Sequence, residues 1–145
     1  LRFRPDALTK TDDRVTIVEV DEHSHAPYDC PKEREREAVF VASAKSEEKS
    51  LGLVRFNTDG YRDESGRYFP TCFHTSPKSG LVTVDPKQQK QWNARLAKLK
   101  EAVARLLDPD IPVPPPQFGR SCYTEEICYA DVAGNAAKKR SRSDV

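Results

Sequence analysis

Methionine is absent from the 145-residue chain, tryptophan occurs once, and neither sign of charge dominates, since the formal net charge is only +1. The near-neutral balance excludes a global basic field, so any nucleic-acid surface has to be local. No apolar run reaches the roughly 18 residues of a membrane span. The four cysteines, Cys30, Cys72, Cys122 and Cys128, form no C-x-x-C pair. We therefore expect one domain of an intracellular protein with reduced thiols and no membrane partner.

The most informative stretch is a strand predicted over residues 15–21, whose side chains alternate between two faces. One face carries, in order, Val15, Ile17, Glu19 and Asp21. Asp6 lies thirteen positions before Glu19, the spacing of a tight hairpin. Carboxylates crowded at the end of a buried strand repel one another, and a bound cation relieves that repulsion. Their hard oxygens suit Mg²⁺ or Mn²⁺. Each acid alone is more often an ordinary solvated side chain, and the metal site is favoured only by the three together.

The surrounding pattern predicts an α/β fold. Residues 1–8 are expected to form a first strand, followed by a turn over 9–13. A helix is predicted over 32–44 with Pro31 as its first residue, and a buried strand over 51–56. A strand, a helix and a buried strand make a βαβ unit with parallel strands.

The second half of the chain predicts one long helix and a returning strand. Asp85 caps the helix, Pro86 begins it, and it ends before Asp108. Its apolar stripe, read as core packing, comprises Trp92, Leu96, Leu99, Val103 and Leu106. Residues 110–117 are a stiff proline-rich spacer, and 127–129 a short strand. The domain is expected to span 1–131, with a basic disordered tail over 132–145. The run from Lys138 to Arg142 reads as a nuclear import signal or as a tail without function.

Residues 4–61 resemble the PD-(D/E)XK, or restriction-endonuclease-like, nuclease superfamily. The nearest pattern is that of nuclease-like proteins of large DNA viruses and some eukaryotes. In order along the chain, the matching residues are Arg4-Pro5-Asp6, Glu19-Val20-Asp21-Glu22-His23-Ser24-His25, Tyr28, Glu33 with Arg36, and Arg55-Phe56-Asn57-Thr58-Asp59-Gly60-Tyr61. Trp92 with Arg95-Leu96, and Tyr129-Ala130-Asp131, resemble the downstream signature of the same group.

The resemblance implies a mixed sheet flanked by helices, built as a helix, a three-stranded meander, a second helix and a strand. This chain would supply the last two strands of the meander, the second helix and the final strand. Because the sequence begins at Leu1 inside a predicted strand and lacks methionine, we expect it to be a fragment. The first helix and strand of the fold would then lie upstream.

The resemblance also implies Mg²⁺- or Mn²⁺-dependent hydrolysis of DNA, with Asp6, Glu19 and Asp21 as metal ligands. RNA as the substrate, and a homodimer as the active form, remain open. Asp21 replaces the lysine that the motif places at this position, so positive charge has to come from elsewhere; Lys32, Arg34 and Arg36 are candidates. His25 is the candidate for proton transfer, because an imidazole titrates near neutral pH.

The helix and the buried strand would supply four supporting groups, Glu33, Arg36, Arg55 and Asn57. Glu33 and Arg36 lie three positions apart, so they either brace the site or form an ordinary surface ion pair. Arg55 and Asn57 end the buried strand and would contact the substrate backbone or the metal ligands.

Two other functions fit the residues. One is a zinc site using His23, His25 and Cys30, with Cys72 or His74 as a further ligand, because an H-x-H pair on a strand is a zinc-binding geometry. The other is a non-catalytic nucleic-acid-binding or interaction module on a degenerate nuclease fold, which Asp21 in place of the motif lysine would explain.

Overall fold

The computed structural model of the chain describes residues 3–21 and 31–129. The main elements in chain order are β1 (Ala7–Lys10), β2 (Arg14–Asp21), α1 (Pro31–Ser46), β3 (Ser50–Asn57), β4 (Tyr61–Arg62), β5 (Tyr68–Phe69), β6 (Phe73–Thr75), β7 (Val82–Val84), α2 (Gln89–Leu107) and β8 (Tyr123–Ile127). A short 3₁₀ helix (Pro86–Gln88) leads into α2, and the Asp85 side chain caps it by accepting a bond from the Lys87 amide.

The central sheet has four strands in the order β1-β2-β3-β8. β1 and β2 form an antiparallel hairpin, whereas β3 and β8 both run parallel to β2. The predicted βαβ unit with parallel strands is therefore confirmed, with α1 connecting β2 to β3. The pairs β4-β5 and β6-β7 are separate two-stranded ribbons within the excursion between β3 and α2.

Each face of the sheet packs against one helix because the apolar residues alternate along the strands. The α1 face buries Val15 and Ile17 of β2 and Leu51 and Leu53 of β3 against Phe40. The opposite face packs Val54 against Ala102 and Leu106 of α2. Gly52 is needed on that side, since a Cβ atom there would lie 2.8 Å from Leu106 Cδ2. The protein is thus mixed α/β, with a mixed sheet between two helices.

Several sequence-based boundaries are wrong in detail. Among the described residues the first strand begins at Ala7 and runs to Lys10, because Asp6 uses its side chain to bond the Val20 amide that a longer strand would have paired. The last strand is Tyr123–Ile127 and not 127–129, because Cys128 adopts a φ of 65° that ends the ladder. Val113 packs against the α2 core, so the proline-rich spacer is anchored and not merely a spacer.

Some predictions lie outside the described residues. These are the loop that carries His23, His25, Tyr28 and Cys30, and the basic tail with its run from Lys138 to Arg142. Among the described residues, no helix is long and apolar enough to cross a membrane.

Arg95 joins α2 to the connection after β3. Its side chain is 2 % exposed, and its Nη atoms donate to the carbonyl oxygens of Asn57, Asp59 and Pro70 at 3.3, 2.8 and 3.0 Å. The guanidinium also lies 5.0 Å from the centre of the Tyr61 ring.

Trp92, one turn earlier on α2, contacts the rings of Phe56 and Phe73. Trp92 and Arg95, two residues of the downstream signature, therefore stabilise the fold. For Trp92 this agrees with the core packing that the apolar stripe predicted.

We expect Arg95→Met to lower the unfolding free energy by about 3 kcal/mol, because three buried carbonyl groups lose their donors at roughly 1 kcal/mol each. Urea denaturation measures the change. The matched control is Lys100→Met on the exposed side of the same helix, which should stay within about 0.5 kcal/mol of the parent. Equal stability of the two variants would contradict this role of Arg95.

Candidate functional site

The charged residues of the sheet gather at the carboxyl ends of its parallel strands, on the face that α1 covers. β2, β3 and β8 align Glu19, Arg55 and Glu126 in one row, because Glu19 is the register partner of Arg55 and Arg55 that of Glu126. The row beneath contains Ile17 and Leu53 of the apolar core. The charged row therefore lies on the face that α1 covers, next to the apolar core and close to the carboxyl ends of the strands.

Glu19 is held by the first turns of α1. Arg36 Nη2 donates to both carboxylate oxygens of Glu19, at 2.9 and 2.8 Å, and also to the Arg4 carbonyl at 2.9 Å. The Glu19 side chain is only 12 % exposed, so this pair is largely shielded from solvent. Asp6 lies alongside, with Oδ2 accepting the Val20 amide at 2.8 Å.

Asp21 is held by the neighbouring strand. Arg55 Nε and Nη2 donate to its two oxygens at 3.0 and 3.2 Å, a two-point contact between the guanidinium and the carboxylate. The Tyr129 hydroxyl donates a further hydrogen bond to Asp21. Arg55 also contacts Glu33 at 3.2 Å. The arginine thus bridges the end of β2 and the first turn of α1.

The contacts continue across the sheet to β8. Arg55 Nη1 lies 3.7 Å from Glu37, and Arg120 Nη1 lies 3.5 Å from the same Glu37 oxygen. Arg120 also donates to Glu126. A single network of charge contacts therefore runs from β2 through α1 to β8.

We name this network the charged cluster. It comprises six carboxylates, those of Asp6, Glu19, Asp21, Glu33, Glu37 and Glu126, and three guanidinium groups, those of Arg36, Arg55 and Arg120. Among the described residues the cluster thus has an excess of three negative charges. In a partly buried setting such an excess is unfavourable, and binding a cation would reduce it.

The pKa shifts agree with this excess. Burial raises the pKa of Glu19, the neighbouring charges of Asp6 and Asp21 raise it further, and the bond from Arg36 opposes them. Burial likewise raises the pKa of Glu37. Burial works against the charge of Arg55, but its bond to Asp21 and the charges of Glu33 and Glu37 raise its pKa overall. Burial thus disfavours the charged forms of Glu19 and Glu37, whereas the carboxylates around Arg55 favour its charged form.

The predicted ligands Asp6, Glu19 and Asp21 lie at the same end of β2, near enough for both aspartates to shift the pKa of Glu19. Within residues 3–21 and 31–129, no three acidic, histidine or cysteine side chains are already arranged around a metal position. Arg36 and Arg55 contact the carboxylate oxygens of Glu19 and Asp21 in this structure. His25 lies outside the described residues.

The supporting residues take different roles. Glu33 and Arg36 do not form a mutual ion pair; Glu33 contacts Arg55 and Arg36 contacts Glu19, which is the alternative in which they brace the site. Asn57 is fully buried and joins β3 to the end of β8 by donating to the Cys128 carbonyl at 2.8 Å. It therefore supports the fold and is not accessible to a substrate.

The sequence analysis missed Glu37, Arg120, Glu126 and, as a site residue, Tyr129. A signal for Glu37 was present, because it lies one turn after Glu33 on the same face of α1. Arg120 and Glu126 carried no such signal, since their place depends on the parallel pairing of β8 with β3.

No family model matches the chain, and neither curated proteins nor solved structures gave a match.

We expect Glu19→Gln to leave the unfolding free energy at pH 7.5 unchanged or higher. The pKa of Glu19 is raised in the folded protein, so its charge costs stability above that pKa, and the cost disappears as the pH falls through it. The amide keeps an oxygen that accepts from Arg36. Urea denaturation of parent and variant at pH 7.5 and 5 measures the difference, which should shrink at the lower pH.

Glu48→Gln, in an exposed turn, is the matched control and should stay within about 0.5 kcal/mol of the parent at both pH values. A loss above about 1 kcal/mol in Glu19→Gln at pH 7.5 would instead identify the Glu19–Arg36 pair as a stabilising salt bridge.

Proposed function

We propose that the protein is a divalent-metal-dependent nuclease that hydrolyses DNA phosphodiester bonds, with the charged cluster as its active site. One observation carries the proposal. Asp6, Glu19 and Asp21 lie at the same end of the β1–β2 pair, in a cluster whose carboxylates outnumber its arginines by three. Hard oxygen ligands with excess negative charge suit Mg²⁺ or Mn²⁺.

The topology supports a restriction-endonuclease-like fold. The resemblance implies an antiparallel strand pair, a helix and then a strand parallel to the second member of that pair. β1, β2, α1 and β3 follow this order and these directions. Asp6 directly precedes Ala7, the first residue of β1 that pairs with β2, so the acids of the motif fall at the open end of the hairpin.

Arg55 offers an answer to the missing motif lysine. Asp21 occupies the lysine's place in the sequence, yet a guanidinium from the neighbouring strand lies 3.0 Å from its carboxylate. An arginine remains charged at any physiological pH and can donate to two phosphate oxygens at once. In this proposal Arg55 supplies the positive charge beside the scissile phosphate, and Asp21 orients the attacking water.

Metal loading requires a rearrangement of Arg36. When bound between Asp6 and Glu19, a divalent cation would polarise the phosphate and lower the pKa of its water. Each carboxylate oxygen has a second lone pair, so Glu19 can bind an ion as Arg36 withdraws. The Arg36 side chain is 27 % exposed, and its Nε atom is buried without a hydrogen-bond partner among the described residues. In this proposal Arg36 leaves Glu19 and donates to a phosphate oxygen.

The same arginines favour a second candidate, a non-catalytic nucleic-acid-binding module. Glu19 and Asp21 already have arginine partners, so these two carboxylates do not need a metal to offset their charge. Such a module would bind DNA without cleaving it, and would be insensitive to loss of the carboxylates.

A nicking assay on supercoiled plasmid DNA separates the two. The parent should nick the plasmid with Mg²⁺ or Mn²⁺. It should not nick the plasmid in EDTA or with Ca²⁺ as the only divalent ion. We expect Glu19→Gln to nick at least about 100-fold more slowly, because even residues that only support a metal ligand contribute 10- to 100-fold.

Glu48→Gln, in its exposed turn, is the matched control and should keep the parental rate. DNA binding that persists in Asp6→Ala, with no cleavage by either protein, would identify the binding module. Cleavage at the parental rate in Glu19→Gln would show that the charged cluster is not the active site.

A further inference from the structure

The basic residues of the chain are concentrated in one segment, residues 60–100. This segment contains eight lysine and arginine residues and three carboxylates, although the whole chain has a net charge of only +1. It forms the β4-β5 and β6-β7 pairs, the 3₁₀ helix and α2 as far as residue 100. The rest of the chain is therefore acidic overall, and a polyanion would be attracted to this segment.

The exposure of the side chains strengthens the excess of positive charge. All of the eight cations except Arg95 are exposed, whereas Glu64 is the one exposed carboxylate of the three. The other two carboxylates form local structure. Asp63 accepts two backbone amides in the turn between β4 and β5, and Asp85 caps the 3₁₀ helix. The segment therefore presents mainly positive charge to the solvent.

Two arginines of the β4-β5 hairpin are held over aromatic rings. The guanidinium of Arg62 lies 5.3 Å from the centre of the Tyr68 ring, and that of Arg67 lies 5.0 Å from the centre of the Phe69 ring. Arg62 also donates to the Gly66 carbonyl at 3.1 Å. Within the described part of the chain neither arginine forms an ion pair, whereas the three arginines of the charged cluster each contact a carboxylate. The hairpin therefore offers two oriented guanidinium groups to an external anion.

The hairpin is attached to the end of the sheet at which the charged cluster lies. It follows the last residue of β3, Asn57, whose register partner on β2 is Asp21. Arg95 of α2 donates to the Asp59 and Pro70 carbonyls, which flank the hairpin. The charged cluster lies on the α1 side of this end, and the base of the hairpin is joined to α2. A ligand that contacts both must therefore extend across the end of the sheet.

The support beneath the arginines is preorganised. Tyr61 stacks on Phe69 across the hairpin, with 5.0 Å between the ring centres and 11° between the ring planes. Gly60 allows Tyr68 to pack closely, since a Cβ atom there would lie 2.8 Å from the Tyr68 hydroxyl. A support held in this way reduces the entropy that the arginines lose when they bind a ligand.

The same geometry favours a duplex over a single strand. Proteins that bind single strands stack the bases on open aromatic rings. Here a guanidinium covers one face of the Tyr68 ring and one face of the Phe69 ring. The hairpin thus presents charge where a single strand would need rings, and a two-stranded ribbon fits the major groove of duplex DNA.

We propose that the β4-β5 hairpin is the docking element for duplex DNA, with Arg62 and Arg67 each contacting one backbone phosphate. The inference rests on the proposed function for the identity of the polyanion and for the position of the scissile phosphate. The duplex lies across the carboxyl end of the sheet, held by the hairpin on the α2 side while the charged cluster acts on it from the α1 side.

Fluorescence anisotropy of a labelled blunt DNA duplex, with Ca²⁺ as the only divalent ion, tests the docking apart from cleavage. We expect the double variant Arg62→Gln/Arg67→Gln to bind roughly 60-fold more weakly at 0.1 M salt, because each phosphate contact contributes about eightfold there. The slope of log affinity against log salt concentration should become shallower by about 1.8, since each contact contributes about 0.9. Arg62→Lys/Arg67→Lys keeps both charges and should keep the parental slope.

The matched control is Lys45→Gln/Lys49→Gln, which removes the same charge beside the start of β3, at the opposite end of that strand. It should bind the duplex as the parent does, because it leaves the hairpin intact. Thermal melting confirms that all the variants are folded.

Parental affinity and slope in Arg62→Gln/Arg67→Gln would overturn the inference, and so would an equal loss in the lysine control. Tighter binding of a single-stranded oligonucleotide, or of an RNA duplex, would overturn it as well. Plasmid nicking that continues in any of these cases leaves the proposed nuclease standing. Hairpin-dependent binding of the duplex without any nicking supports the docking element and removes the nuclease activity.

Discussion

The contact between Arg55 and Asp21 holds together the polar end of the sheet. Arg55 lies in the most buried strand, where an isolated charge would be costly. Its guanidinium is satisfied by Asp21 on β2 and by Glu33 on α1, and Arg120 extends the contacts to β8. The end of the sheet thus consists of charges, while the same face one row deeper consists of Ile17 and Leu53.

The charged cluster contains features that lower the stability of the fold. Its carboxylates outnumber its arginines, and burial raises the pKa values of Glu19 and Glu37. Networks of this kind are typical of functional sites, because a site that binds a cation or a phosphate must keep unfavourable charges in place. The other buried arginines, Arg14 and Arg95, illustrate the contrast. Both donate to backbone carbonyl groups and add nothing to the charge excess.

Much of the fold was predictable from local pattern, and the boundaries that failed did so for local reasons. The alternation in β2, the proline at the start of α1 and the apolar stripe of α2 each predicted their element correctly. The last strand was misplaced because the positive φ of Cys128 leaves no mark in the hydrophobic pattern. Likewise, Asp6 ended the pairing of β1 through its side chain, which propensity does not reveal.

The site was predictable in part: the sequence pointed to Asp6, Glu19 and Asp21 and, through the resemblance, to Arg36 and Arg55, but it gave no site role to Glu37, Arg120 and Glu126. Glu19 and Asp21 follow from alternation along one strand, and Asp6 from the length of a hairpin. Their partners Arg36, Arg55 and Arg120 depend on how α1, β3 and β8 are brought together, which requires the register of the parallel strands. Glu33 and Arg36 contact residues of the strands and not each other, which is the site-bracing alternative of the two that the sequence left open.

Binding of Mn²⁺ tests the central claim most directly, because the ion can be followed by electron paramagnetic resonance without any substrate. The account predicts one saturable site in the parent, lost in Glu19→Gln and retained in Glu48→Gln. A parent that binds no Mn²⁺, or a Glu19→Gln variant that binds it as tightly as the parent, would contradict the claim that the excess carboxylates of the charged cluster form a cation site.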